Sequence, residues 1–295
     1  MELNFETVTT PPVDAASVLL LRDSDEGLQV LLMRRAQASQ VLGGAYVFPG
    51  GKVDAEDHAP QALAHLSETP EGLRDRLHEP GLDAARAAGL FMAALREAFE
   101  ECGVLAGQDA DGPAVAMQLR QLMGQQMGQL GWHQSLRQAG LALRTHDLLP
   151  WSRWITPRQP AVTNKRFDTR FFVARVCDDQ VASHDNFETT DSVWLTPLQA
   201  LTRYAQGQID LVAPQIMSLY ELKAHDTVDA ALSEARQRAP ALIEPHPFDQ
   251  DGQRILCYPG DERHPVAQRA LRGPTRLLFT QGRFVPLGGM AQLLD

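Results

Sequence analysis

Three glutamates close together near residue 100 are the residues whose type and spacing most clearly predict chemistry. The segment 94–104 reads ALREAFEECGV. Its apolar residues recur at helical spacing, which places Glu97, Glu100 and Glu101 together on the opposite face. Like charges so placed repel each other, and a hard dication would remove the repulsion, because Mg²⁺ and Mn²⁺ prefer carboxylate oxygens. The spacing therefore predicts a Mg²⁺ or Mn²⁺ site on these glutamates; the alternative is a solvated helix face.

The elements that position these glutamates follow from the apolar pattern. A helix is predicted over Ala87–Cys102, and Gly103 is a residue favoured where a helix ends. Upstream, a strand, a turn and a strand are predicted over 13–33, followed by a short strand at 45–48 that runs into a glycine loop at 49–51. Further strands are predicted at 151–155, 170–176, 192–195, 254–258, 276–279 and 283–286. Further helices are predicted within 59–66, 71–78, 113–143, 197–205, 214–224 and 227–239.

Composition and charge narrow the class of protein. The chain has 295 residues, of which 44% are hydrophobic, enough for one large core or two small ones. A formal net charge of −10 argues against sequence-independent nucleic-acid binding, which depends on Lys and Arg neutralising phosphates. No apolar run predicts a membrane span or a secretory signal, so a cytoplasmic protein without a membrane partner is expected. The three cysteines form no C-x-x-C pair and are expected to be reduced thiols.

The same glutamate segment resembles one half of the Nudix box. Residues 96–104, REAFEECGV, match the R-E-U-x-E-E-x-G-U pattern in which U is apolar, and 48–54, FPGGKVD, resemble the glycine loop that opens the box. The resemblance implies an α/β protein, a Nudix α/β/α sandwich with a mixed β-sheet and inserted helical segments. It also implies a single elaborated domain over 1–295, in which the role of a C-terminal extension at 227–295 is unassigned.

The two halves of the box lie unusually far apart. An insertion over 58–88 separates the glycine loop from the helix, so the outer glutamate of the family pattern has no clear equivalent; Asp57 stands at its place counted from the glycines. This split resembles the Nudix group that includes the peroxisomal coenzyme A diphosphatases. Residues 31–36, Gly44 and 48–51 also resemble the coenzyme A signature of that group, with Met33 in place of Thr and Gln40 in place of Arg.

The resemblance implies roles for particular residues. Glu97, Glu100 and Glu101 are expected to bind Mg²⁺ or Mn²⁺, and Arg96 to orient those carboxylates. Glu188, in a polar loop, is the candidate general base. Candidate substrate contacts are glycines that let the backbone approach a diphosphate and arginines suited to phosphate, with Lys165 as a further basic residue: Arg34, Arg35, Gly50, Gly51, Arg166 and Arg170.

The sequence is compatible with three functions. The first is hydrolysis of coenzyme A or acyl-coenzyme A to 3′,5′-ADP and 4′-phosphopantetheine or its acyl form. The second is Nudix hydrolysis of another nucleoside diphosphate derivative, such as ADP-ribose, NADH or a nucleotide sugar, which the departures at Met33 and Gln40 favour. The third is a Nudix-fold ligand sensor without catalysis. In each case the partner is a small molecule, and the resemblance also allows a homodimer.

Overall fold

The computed structural model describes residues 4, 6–37, 42–106, 112–125, 131–162, 164–177, 180, 182 and 189–295. Its strands are β1 (Val13–Ser24), β2 (Gly27–Arg35), β3 (Tyr46–Val47), β4 (Gly50–Lys52), β5 (Leu149–Ile155), β6 (Phe167–Arg175), β7 (Thr189–Leu195), β8 (Ala241–Ile243), β9 (His246–Gln250), β10 (Gln253–Cys257), β11 (Arg276–Thr280) and β12 (Arg283–Pro286). The predicted strands are confirmed, and β4, β8 and β9 were not predicted.

The predicted helices are also confirmed, with ends that differ by a few residues. They are α1 (Pro60–Leu63), α2 (Pro70–Leu77), α3 (Ala84–Cys102), α4 (Gly112–Gln125), α5 (Trp132–Ala139), α6 (Pro197–Ala205), α7 (Ala213–Leu222) and α8 (Val228–Gln237), with the 3₁₀ helices η1 (Ala55–His58) and η2 (Met290–Leu293). Within the described ranges, no helix combines the length and the apolar character needed to cross a membrane.

The main sheet mixes parallel and antiparallel strands. Its order is β3-β2-β1-β6-β5-β8, with β4 paired to β1 and β7 paired to β2. The β1–β6 and β5–β8 pairs are parallel, and the other ladders of this sheet are antiparallel. The short strand β4 is the predicted glycine loop, paired with Ala15–Ser17 of β1. This pairing fixes the glycines against the middle of the sheet.

Each face of the main sheet carries its own hydrophobic cluster, because alternate residues of a strand point to opposite faces. Val18 and Leu20 of β1 pack toward α2 and α3, whereas Leu19 and Leu21 pack toward α6, α7 and α8. The sheet therefore lies between two helical layers, as the resemblance implied. The expected α/β fold class is confirmed.

Helix α3 carries the three glutamates and is bounded as its sequence predicts. Asp83 caps its first turn, accepting a hydrogen bond of 2.9 Å from the Arg86 N–H. Gly103 ends the helix with φ of +68°, a left-handed conformation that costs glycine little. Gly89 lies in the middle of α3, where a Cβ would come within 2.9 Å of the Cβ of His58. This glycine lets η1 pack directly on the helix.

A cluster of ion pairs fixes the insertion to the sheet. Glu79, between α2 and α3, lies 2.8 Å from Arg153 on β5 and 2.6 Å from Arg170 on β6. Arg170 also pairs with Asp14 at 3.0 Å, and Arg153 pairs with Asp168 at 2.6 Å. Arg170 thus links the insertion to the start of β1, and Arg153 links it to Asp168 of β6. The insertion is therefore a docked part of the structure, and it packs on α3.

The C-terminal extension joins the core instead of lying outside it. Strand β8 extends the main sheet beside β5, and the strands β12-β11-β10-β9 form a second, antiparallel sheet. Leu256, Leu277 and Phe284 of this second sheet lie in the same hydrophobic cluster as β1 and α7. Its edge strand β9 was missed because Pro247 reads as a breaker, although an edge strand tolerates proline.

Replacing Glu79 by Gln tests the role of the ion-pair cluster. The change leaves the buried guanidinium of Arg170 and the partly exposed guanidinium of Arg153 short of one carboxylate, and we expect a loss of about 2 kcal/mol or more in the free energy of unfolding. Denaturant titration measures this loss. The control is Asp75→Asn, because Asp75 is 71% exposed in its pair with Arg74 and should contribute at most about 0.5 kcal/mol. Equal effects of the two changes would refute the account.

Candidate active site

A cavity of about 950 Å³ runs from the glutamate helix across one face of the main sheet. At one end lie the glycine loop and the end of α3, with Gly50, Gly51, Lys52, Glu97 and Glu100 in its wall. Along the sheet its wall is formed by β1, β6 and β5, and the C-terminal extension completes it. The residues of those walls include Ala15, Ser17, Phe167, Thr169, Phe171, Trp154, Pro245, Leu256 and Phe284.

Arg96 contacts several groups at the glutamate end of the cavity. Its guanidinium is 7% exposed, and one nitrogen, Nη1, donates to Glu97 at 2.8 Å and to Glu100 at 3.0 Å. Nη2 donates to the carbonyl oxygen of Lys52 at 2.9 Å, which ties α3 to β4. Burial alone would lower the pKa of Arg96, but hydrogen bonds and charges from the surrounding carboxylates raise the pKa above its ordinary value. The expected orienting role of Arg96 is supported by this geometry.

Asp57 holds Arg96 from behind. It is fully buried and accepts from Arg96 Nε at 3.0 Å and Nη2 at 2.9 Å, a bidentate pair. It also accepts from the Asp54 N–H at 2.8 Å, and His133 Nε2 of α5 lies 3.1 Å away. Burial acts to raise the pKa of Asp57, but hydrogen bonding from His133 and Arg96 outweighs it and holds the pKa below the usual range. Asp57 therefore acts through Arg96, on the side away from the cavity.

The three glutamates differ in their surroundings. Glu97 and Glu100 line the cavity, whereas Glu101 is 4% exposed and accepts from the Gly50 N–H at 3.0 Å. Burial raises the pKa of Glu100, against the opposing effect of Arg96. Among the described residues, no group of three or more His, Cys, Asp or Glu side chains stands close enough to hold a metal. Glu97 and Glu100 accept from the same nitrogen of Arg96, whereas Glu101 accepts from the Gly50 N–H, and the three-glutamate metal site stays a prediction.

The two glycines allow the loop to touch different partners. A Cβ on Gly51 would lie 2.4 Å from Oε1 of Glu97, so the carboxylate occupies the space that a side chain would need. A Cβ on Gly50 would lie 2.4 Å from the Ala16 carbonyl oxygen and 2.6 Å from Ser17 Cα, which are backbone atoms of β1. Both residues line the cavity, so their predicted position at the site agrees with the structure.

The predicted basic contacts divide into two groups. Arg35 and Lys165 line the cavity, and the Nε of Arg35 is buried without a hydrogen-bond partner in the described part of the chain. Arg34 is exposed and lies across the ladder from Tyr46 and Asp191, outside the described cavity wall. Of the neighbouring arginines, the structure brings Arg35 to the site.

The other two predicted arginines are used inside the fold. Arg170 is 2% exposed and belongs to the ion-pair cluster with Glu79 and Asp14. Arg166 is buried and donates to the carbonyl oxygens of Thr156 and Thr10. Neither is among the described residues of the cavity wall, so we do not retain them as substrate contacts. Glu188, the candidate base, lies outside the described residues, and its role stays a prediction.

Several residues of the site carry no signal in the sequence. Gln215 lines the cavity, as do Leu256 and Phe284 of the extension, and none of the three belongs to a recognisable motif. His133 likewise comes from a helix predicted only for its apolar face. Asp57 is the exception, because counting from the glycines puts it where the family has its outer glutamate. The count could not predict that Asp57 pairs with Arg96.

Comparisons with known proteins assign the family. A family model described as the NUDT19 Nudix domain matches residues 11–223, more than half of the chain. The chain belongs to the NUDT19 Nudix domain family. Acyl-coenzyme A diphosphatase NUDT19 of Xenopus laevis is 28% identical over 276 residues, covering 80% of this chain and 71% of that protein. Putative nudix hydrolase 7 of Caenorhabditis elegans is 24% identical over 276 residues, covering 91% and 80% respectively.

A solved structure supports the Nudix fold as well. The crystal structure of a NUDIX hydrolase from Alicyclobacillus acidocaldarius superposes with a TM-score of 0.59 at 28% identity, covering 77% of this chain and 97% of that one. The expected enzyme class, a Nudix diphosphatase, is confirmed. The Nudix model ends at residue 223, so the C-terminal wall of the cavity lies beyond the matched part of the chain.

Alanine at each of the two glycines of the Nudix box should have a different effect, one on activity and the other on stability. Gly51→Ala would displace the carboxylate at the end of the Glu97 side chain, so we expect diphosphate hydrolysis to fall about a hundredfold while the free energy of unfolding stays nearly constant. Gly50→Ala would press on the rigid backbone of β1, so we expect a loss of stability. Thermal unfolding and turnover of both variants measure this. A stable, fully active Gly51→Ala enzyme would contradict the assignment.

Proposed function

We propose that this protein is a metal-dependent coenzyme A or acyl-coenzyme A diphosphatase that releases 3′,5′-ADP and 4′-phosphopantetheine or its acyl form. The family match carries the proposal, because the vertebrate relatives from Xenopus laevis, Gallus gallus and Homo sapiens are acyl-coenzyme A diphosphatases by name. The cavity supports it, since a site with acidic residues at one end and apolar residues of the C-terminal extension in its wall suits a long substrate with a diphosphate on one side.

The donor set at the glutamate end fits Mg²⁺ or Mn²⁺. Glu97, Glu100 and Glu101 offer hard carboxylate oxygens beside the cavity, and the backbone of Gly51 leaves room at Glu97. A bound ion would neutralise diphosphate oxygens and lower the pKa of an attacking water. Arg96 holds Glu97 and Glu100 in place before the ion arrives, and the Gly50 N–H does the same for Glu101.

Cationic residues on the cavity wall serve the phosphates. Arg35 brings an unsatisfied Nε–H, and a guanidinium binds phosphate oxygens through directed hydrogen bonds. Lys52 follows the glycine loop and supplies a point charge next to the glutamate end. We assign the general base to Glu188 on the sequence argument, since proton removal from the attacking water requires a carboxylate or an equivalent group.

The test is hydrolysis of coenzyme A, acetyl-coenzyme A, ADP-ribose and NADH with Mg²⁺ or Mn²⁺, with the products identified by mass. We expect 3′,5′-ADP from the coenzyme A substrates, no turnover after chelation, and a loss of at least about a hundredfold in Glu101→Gln, which keeps the shape of the side chain. The matched control is Glu71→Gln, because Glu71 is exposed in the first turn of α2.

The outcomes separate the possibilities. Cleavage of ADP-ribose or NADH alone would keep the Nudix chemistry and overturn the coenzyme A assignment. Hydrolysis that continues after chelation, or in Glu101→Gln, would overturn the metal assignment. A protein that binds these compounds and cleaves none of them would be a ligand sensor.

A further inference from the structure

The part of the cavity at β5 has a different chemistry from the part at the Nudix box. From β4 the cavity crosses β1 and β6 to Trp154 on β5, three strand spacings or roughly 14 Å away. There its wall is made by Pro245, Leu256 and Phe284 of the C-terminal extension, all uncharged and apolar. Because the Nudix model ends at residue 223, this wall belongs to the part of the chain that the model does not match.

Besides Arg35, two uncharged side chains of this cavity wall have a polar atom that is buried without a hydrogen-bond partner in the described part of the chain. The atoms are Nε1 of Trp154 and Oε1 of Gln215, on side chains of residues that are 5% and 6% exposed. Buried polar groups are nearly always hydrogen-bonded, so each unsatisfied one calls for an explanation. Trp154 packs edge-on against Tyr258 at 5.8 Å, which fixes its indole, and Gln215 lies in the first turn of α7.

The chemistry of each of these two groups suits an amide. The indole N–H can only donate and the carboxamide oxygen of Gln215 can only accept, whereas an amide offers one carbonyl acceptor and one N–H donor. A phosphate would leave Gln215 Oε1 without a donor. The apolar surfaces of Pro245, Leu256 and Phe284 also give the 3′-phosphate of coenzyme A no partner for its charge, and a charge removed from water needs one. The uncharged half of that substrate is its pantetheine arm, which contains two amides.

We propose that Trp154, Gln215, Pro245, Leu256 and Phe284 form an arm site that binds the amide-bearing pantetheine arm and the acyl group that extends it. The inference rests on the proposed coenzyme A function and assigns its specificity. Trp154 and Gln215 each hydrogen-bond an amide group of the arm, and the C-terminal extension supplies the apolar surface. The arm site thereby orients the diphosphate toward Arg96 and the glutamates.

The two reaction products separate the halves of the substrate and serve as probes. In full-length Gln215→Leu, which keeps the volume of the side chain, we expect the inhibition constant of 4′-phosphopantetheine to rise about tenfold and that of 3′,5′-ADP to stay unchanged. The unchanged second constant also reports that the variant is folded. Trp154→Phe, which keeps an aromatic ring and removes the N–H, should shift the same constant in the same direction.

Ser218→Ala is the matched control. Ser218 is on the same helix, is 2% exposed and also has an unsatisfied hydroxyl among the described residues, but it is not in the cavity wall. Neither inhibition constant should change in that variant. If Gln215→Leu instead weakens 3′,5′-ADP, or changes neither constant while coenzyme A is still hydrolysed, the arm site is refuted and the proposed function stands. If the wild type hydrolyses no coenzyme A ester, both fail.

Discussion

The buried pair between Asp57 and Arg96 is the interaction on which the rest of the site depends. The insertion separates the glycine loop from the glutamate helix along the chain, and this pair joins them again in space. Asp57 follows the glycine loop, and Arg96 stands one residue before Glu97. Because the guanidinium is oriented from behind by Asp57, its other face is free to direct Glu97 and Glu100. The arrangement needs a fully buried charge pair, which is stable only with such complete hydrogen bonding.

Neighbouring parts of the structure bury this pair and hold its two residues together. Gly89 lets η1 approach α3, so that Asp57, which precedes the insertion, can reach Arg96, which follows it. His133 of α5 closes the remaining side of Asp57. The insertion lies between the two halves of the box in the sequence, but its ion pairs with β5 and β6 hold it away from the site. None of its described residues lines the cavity. The insertion within the Nudix box is thus held away from the cavity.

The sequence predicts most elements and the centre of the site, for physical reasons that particular residues show. Local periodicity is enough for α3, because its apolar stripe, its cap at Asp83 and its terminal Gly103 act within the helix. It fails for β4 and β9, where Gly50, Gly51 and Pro247 oppose the strand and only pairing with β1 and β10 creates it. Basic residue type likewise could not separate Arg35 from Arg170, since the difference is the burial of Arg170 among Asp14, Glu79 and Asp168.

A double-mutant cycle on Asp57 and Arg96 tests the central claim most directly. The free energy of unfolding is measured for the wild type, Asp57→Asn, Arg96→Gln and the combined variant. Residues in one buried network are coupled, so we predict that the losses of unfolding free energy in the two single variants are far from additive, with a coupling energy of about 2 kcal/mol or more. Losses that simply add would mean that the two halves of the box are held together by other contacts, and would contradict the account.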